Sequence, residues 1–152
     1  MSSSTRLSMG SGKQSDESDR SSHLVSLVRR VADEDRAAFA ELHGRLAARL
    51  TEHLRSAALT PRFAKAIVAA TFVEVWWLAR YHTDPQTDVF AWLTAIAQRR
   101  TEEWKRHREP TRSAQHAWIA AGAESYYRRA GLALAELLDP TDRSRPEESS
   151  CA

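Results

Sequence analysis

Residues 61–81, PRFAKAIVAATFVEVWWLARY, are apolar on nearly every side of a helix, which restricts the fold more than any other stretch. Thr60-Pro61 reads as a helix start. Thr serves as the cap, and Pro fits the first helical position because its missing N–H has no partner there. At three- and four-residue steps, Ile67, Val68, Phe72, Val75, Trp76 and Ala79 form one apolar stripe. Phe63, Ala66, Ala70, Val73 and Trp77 form a second. A helix apolar on two sides belongs between two packing partners.

The flanking sequence supplies them. From His23, the residues Leu24, Leu27, Val28 and Val31 share one face of a short helix. Ala32-Asp33-Glu34-Asp35 breaks it and offers capping side chains for the next. Residues 35–56 carry the stripe Phe39, Leu42, Leu46, Leu50 and Leu54, with Arg36, Glu41, Arg45, Arg49 and Glu52 on the wet side. Residues 82–87 are a polar loop. Residues 87–108 read as one amphipathic helix, capped by Thr87 or Asp88 and stopped by Pro110. Its face is Val89, Leu93, Ile96, Ala97, Arg100 and Trp104. A last helix is expected over 113–138, through Ile119, Ala123, Tyr126, Ala130, Leu134 and Leu137, ended by Asp139-Pro140. No alternating β-branched run occurs, so the expected fold is all-α. Its core should gather Phe39, Leu42, Leu46, Phe72, Trp76, Trp92, Leu93 and Ile96.

At 152 residues the chain has room for one helical domain and tails. Residues 1–22 hold nine serines and almost nothing to bury, and read as a disordered tail. Residues 23–110 form the expected domain, 111–139 an extra C-terminal helix, and 140–152 a second disordered tail. The net charge of +2 gives no strong global field, but residues 98–112 hold six Lys/Arg against three acids. Arg99, Arg100, Lys105, Arg106 and Arg108 are the densest cationic group. They suit either a helix C-terminus or a nucleic-acid backbone, with Trp92 and Trp104 as stacking surfaces. Cys151 is the only cysteine, which fits a reducing, cytoplasmic setting without disulfides. No run reaches the roughly 18 apolar residues of a membrane span, and no signal peptide is seen at the N-terminus.

Catalysis finds no support. There is no Gly-rich phosphate loop and no nucleophile beside a base. His43 and His53 lie ten residues apart on one helix, whereas helical zinc ligands fall about three or four apart. Glu102 and Glu103 are neighbours that point different ways, and suit pairing with Arg99 and Arg106. Neither an enzyme nor a cofactor is expected.

Three segments in order, DRAAFAELHGRLAARL, ATFVEVWWLARY and FAWLTAIAQRRTEEWKR, resemble region 2 of bacterial RNA polymerase sigma factors, the extracytoplasmic-function group most closely. The resemblance spans about residues 24–108. It implies an all-helical bundle that grips the β′ clamp of RNA polymerase core and reads minus-ten promoter DNA as a single strand. The loop 82–87 corresponds to the family's base-reading loop. Arg99, Arg100, Lys105, Arg106 and Arg108 fall at its basic end and are the expected DNA-binding residues.

The departures are specific. Where the family carries acidic and polar residues facing the polymerase, this chain has Phe63, Lys65, Ala66, Ala69 and Ala70. Gln98 and Arg99 stand where the family has Arg and Asn. No region 4 helix-turn-helix is recognisable after Pro110. The resemblance thus implies a sigma-like initiation protein, with RNA polymerase core and promoter DNA as partners and a second protein supplying region 4. The alternative is a sigma-derived interaction module, binding a regulatory partner or a second copy, that no longer supports promoter opening. Phe63, Lys65, Ala66, Val73 and Trp77 are the expected partner-binding residues. A large apolar patch is rarely left in water, so the second stripe should be covered, by residues 113–138 through Ile119, Tyr126, Tyr127 and Leu134 or by another protein.

Overall fold

A computed structural model of the protein describes the backbone of residues 11–56, 60–108 and 114–141. Side chains are described for these, except 11–16, 56, 107–108 and 114–121. The described residues form helices α1 (Ser11–Ala32), α2 (Arg36–Ser56), α3 (Pro61–Leu78), α4 (Val89–Arg108) and α5 (Ala114–Leu138). A 3-10 turn, Ala79–Tyr81, follows α3. The fold is all-α, as the absence of alternating apolar runs requires. No helix among the described residues is long and apolar enough to cross a membrane.

The middle helix is α3, as its two apolar stripes demand. It packs against α1, α2, α4 and α5, and Phe63 of its second stripe meets both Trp104 of α4 and Tyr127 of α5. Ile67, Phe72 and Val75 are fully buried with Leu27 of α1, Phe39, Leu42 and Leu50 of α2, and Leu93 of α4. Phe39 meets Phe72 edge-on at 6.2 Å and Trp76 at 5.3 Å, a geometry that the ring quadrupoles favour. Trp76 and Trp92 are only partly buried and pack on the rim of this core. The hydroxyls of Thr71 and Thr101 avoid burial without a partner by donating to the Ile67 and Ala97 carbonyls, each at 2.8 Å.

The α1–α2 corner is a tight reversal. Asp35 N–H donates to the Arg30 carbonyl and Glu34 N–H to the Val31 carbonyl, the pair of bonds that closes a Schellman end. Glu34 takes φ 63° to do so, a conformation that costs a residue with a Cβ. Asp35 then caps α2, its Oδ1 accepting Ala37 N–H at 2.9 Å and Ala38 N–H at 3.0 Å. The same carboxylate binds Arg30. These backbone bonds from Ala38, then the Arg30 contacts, hold its pKa below the ordinary value.

The sequence reading needs three corrections. Residues 11–22 are the first turns of α1, not part of a tail: the Leu27–Val31 end is anchored, and extending a nucleated helix adds a hydrogen bond per residue fixed. Thr60 holds the N-cap position of α3 without a side-chain bond, and its carbonyl accepts Phe63 and Ala64 N–H instead. Pro140 and Thr141 continue α5 as a short turn rather than a tail, with Thr141 donating twice to Asp139 Oδ1. Residues 1–10 and 142–152, including Cys151, lie outside the described residues.

Candidate functional site

Two places in this bundle carry more than packing: the junction of α3, α4 and α5, and the end of the bundle where the 3-10 turn leads through residues 82–88 into α4.

The junction is built on Glu74, the sole acid in α3. Its side chain is only 11 % exposed, so it needs a cation to offset the loss of water. Two come from α4. Arg99 donates to Oε1, and Arg100 donates to Oε2 from Nε at 2.9 Å and from Nη2 at 2.6 Å. Arg100 also reaches Glu103 at 3.1 Å and lies over the Tyr126 ring, 5.0 Å from its centroid. Burial opposes the Arg100 charge, but its hydrogen bond to Glu74 and the charges of Glu74 and Glu103 prevail, and its pKa stays above the ordinary value. On the α5 side, Tyr127 hydroxyl donates to the Arg100 carbonyl at 3.0 Å. Burial pushes the Tyr127 phenol up to about 12.

Beside this network lies an aromatic cluster. Phe63 stacks on Trp104 with centroids 4.4 Å apart, and Tyr127 meets both edge-on at 6.3 and 5.4 Å. The N-terminal part of the second stripe of α3 is therefore covered from within the chain, whereas Trp77 at its end is not. Phe63 and Ala70 are buried, Ala66 and Val73 are half-buried, and Tyr127 and Ala130 of α5 are buried against the core. Tyr126 and Leu134 pack at its edge, while the Ile119 side chain lies outside the described residues. Lys65 is exposed, and Trp77 stays 62 % exposed. The five expected partner-binding residues thus do not form one open face.

The five expected DNA-binding cations are divided as well. Arg100 is committed to the junction and Arg99 shares Glu74 with it. Lys105 pairs with Glu102 at 3.1 Å, and Arg106 Nε donates to the Glu102 carbonyl at 3.3 Å. Both remain on the exposed side of α4. The Arg108 side chain lies outside the described residues.

The loop end is closed by local hydrogen bonds. Asp84 Oδ1 accepts Gln86 N–H at 2.7 Å and its carbonyl accepts Thr87 N–H at 3.1 Å, which closes a turn around Pro85. Asp88 caps α4 by accepting Ala91 N–H at 2.9 Å. Arg29 of α1 donates to the Thr83 carbonyl at 3.0 Å. His82 stacks on Trp92 at 4.1 Å. Tyr81, immediately before this loop, is 73 % exposed, and Arg80 and Trp77 are exposed near it in sequence. Sequence reasoning missed Glu74 and Tyr81. Glu74 was detectable as a lone acid in an apolar helix. Tyr81 carried no signal, because a helix's last aromatic residue reads as core until its surroundings are known.

Among the described residues no group of His, Cys, Asp or Glu could hold a metal ion. His43 packs edge-on against Phe72 at 4.7 Å, and burial holds its pKa below the ordinary value. Comparison with protein-family models, curated proteins and solved structures gives no match to this chain.

Proposed function

We propose that this chain is a transcription-initiation protein of the sigma region 2 type. On this reading it contacts single-stranded minus-ten promoter DNA at the loop end of the bundle and works with RNA polymerase core. The observation that carries the reading is the loop 82–88. It is pinned by its own turn, by Asp88 and by Arg29, and it stands beside exposed Tyr81 and the His82–Trp92 stack. An exposed ring beside a hydrogen-bonded loop, with Arg80 nearby in sequence, suits an unstacked base and its phosphate. The resemblance of residues 24–108 to region 2 puts its base-reading loop at the same segment.

A second reading draws support from the covered face. In the resembling family the α3 surface around Phe63 and Ala70 meets the polymerase clamp, whereas here α5 lies over it. A sigma-derived protein-interaction module that has given up promoter opening accounts for this directly.

The test of the first reading measures binding of fluorescent single-stranded oligonucleotides and their duplexes at low salt, with and without core polymerase. Preference for the single strand, lost in Trp77→Ala/Tyr81→Ala, is the expected result. Equal binding to duplex, or an unchanged double variant, overturns it. Failure to recover core polymerase with the intact protein, together with no single-strand binding, leaves the interaction module.

A further inference from the structure

We propose that Arg29 of α1 is a positioning residue for the loop 82–88. Its bond to the Thr83 carbonyl fixes where the loop stands beside Tyr81, and thereby how well an unpaired base is received there. The inference deepens the promoter-reading proposal and rests on it for the ligand. The hold of Arg29 on the loop is measured without nucleic acid, so the two can fail separately.

The bond is set up by the end of α1. Val28 and Val31 are only 0 and 1 % exposed, which anchors the last turns of the helix in the core. Arg29 and Arg30 lie between them on the exposed side. Successive helical residues point about 100° apart, so the two guanidinium groups serve different contacts. Arg30 turns to Asp35 at the corner with α2. Arg29 turns to the loop, and its Nε donates to the Thr83 carbonyl at 3.0 Å, across 54 residues of chain. The dipole of α1 favours cations in this last turn, but that preference needs no partner in a distant loop.

Thr83 sits between two other ties of the loop. On one side, His82 stacks on Trp92 of α4 with centroids 4.1 Å apart. On the other, Asp84 closes the turn, accepting Gln86 N–H through Oδ1 and Thr87 N–H through its carbonyl. Arg29 joins the carbonyl between them to α1. The same helix packs against the 3-10 turn that carries Arg80 and Tyr81. One helix therefore holds both flanks of the site, the turn by packing and the loop by a hydrogen bond.

Arginine suits this task. Its donor is charged, which strengthens a bond to a carbonyl, and its planar group fixes the direction of Nε–H. The bond is exposed to water, so it matters little to the whole fold. It matters more to the loop, because local opening costs far less than global unfolding. A bond of ordinary net strength shifts such an opening about fivefold. The apparent affinity for a ligand then falls with the fraction of loops in the receiving position.

The experiment compares the intact protein with Arg29→Met, which keeps an unbranched apolar stem without donors, and Arg29→Lys, which keeps the charge and a donor. Hydrogen exchange on the free proteins comes first. In Arg29→Met the Gln86 and Thr87 amides should lose about fivefold in protection, while the amides of Leu42 and Phe72 in the core keep theirs. Binding of a fluorescent single-stranded oligonucleotide should weaken by a similar factor, and Arg29→Lys should recover most of both losses. The log–log salt slope should stay the same, because Arg29 acts through the loop and touches no phosphate. A slope flatter by about 0.7 in Arg29→Met shows direct phosphate contact and overturns the positioning role. Unchanged exchange at Gln86 and Thr87 overturns it too, as does loosened exchange with undiminished single-strand affinity, and in both cases promoter reading stands. Exchange that rises throughout α1–α4 makes Arg29 a residue of the fold and overturns the assignment. An intact protein that binds no single strand at low salt overturns promoter reading and, with it, the role given to Arg29.

Discussion

Glu74 on α3 accepts two hydrogen bonds from Arg100 on α4, at 2.9 and 2.6 Å, and both fall on the same carboxylate oxygen. The other oxygen is left to Arg99. One acid in an apolar helix thus fixes the neighbouring helix and consumes two of the cations that the sequence offers to nucleic acid.

Removing that acid should be costly, because it leaves the Arg100 guanidinium, only 21 % exposed, without its carboxylate partner. Glu74→Ala is expected to lose about 2–3 kcal/mol in urea melts, below the range for fully buried pairs because both groups keep some water. Adding Arg100→Met should recover part of the loss, since the stranded charge is then gone. A loss under about 0.5 kcal/mol would mean that the pair does not hold α4 to α3.

The cations of α4 should separate by role. Arg100→Ala is expected to lower stability and leave any single-strand affinity little changed, because its charge is already neutralised. Lys105→Ala/Arg106→Ala should do the reverse. If both touch phosphate, the log–log salt slope flattens by about 1.4 units, at roughly 0.7 per single-strand phosphate. Titrations at several salt concentrations decide this, and an unchanged slope moves the binding surface away from α4.

Tyr127 gives the fold a dependence on alkaline pH. Its phenol is raised from 10.0 to about 12 in the folded state, chiefly by burial. The folded protein therefore holds this proton more tightly than the unfolded chain. The associated stability is full below pH 10 and is lost as pH rises toward 12. The loss should be about 2–3 kcal/mol, two pH units at roughly 1.4 kcal/mol each. Tyr127→Phe should be less stable at neutral pH, lacking the bond to the Arg100 carbonyl, yet show a flatter decline above pH 10. Parallel declines in the two proteins would show that Tyr127 titrates normally.

Glu34 holds a left-handed conformation that glycine adopts freely, and its backbone closes the end of α1. Glu34→Gly is expected to stabilise the protein by up to about 1 kcal/mol, relief of the Cβ clash outweighing the added freedom of the unfolded chain. Thermal melts check this. A destabilised variant would mean that the Glu34 side chain contributes more than its backbone strain costs.

The sequence by itself determined the helices and their apolar faces. Helical period depends only on residue order, so Phe39, Leu42, Leu46, Phe72, Leu93 and Ile96 could be assigned to the core before any packing was known, and all six are buried. Two stripes on α3 required two sets of partners, and α5 with Trp104 of α4 covers the second from Phe63 to Ala70, leaving Trp77 exposed. Local signals also narrowed the α4 cap to Thr87 or Asp88, of which the structure selects Asp88, and gave the break at Ala32–Asp35, because caps and turns are satisfied within a few residues. Periodicity could not rank burial among large rings. Trp76 and Trp92 lie on the rim and Trp77 stays exposed, because the position of a neighbouring helix, not the ring itself, sets how much water is excluded. Nor could it show that Arg99 and Arg100 meet Glu74, 25 and 26 residues earlier in the chain. Ion pairing across helices is decided by how those helices cross, and only the tertiary structure fixes that.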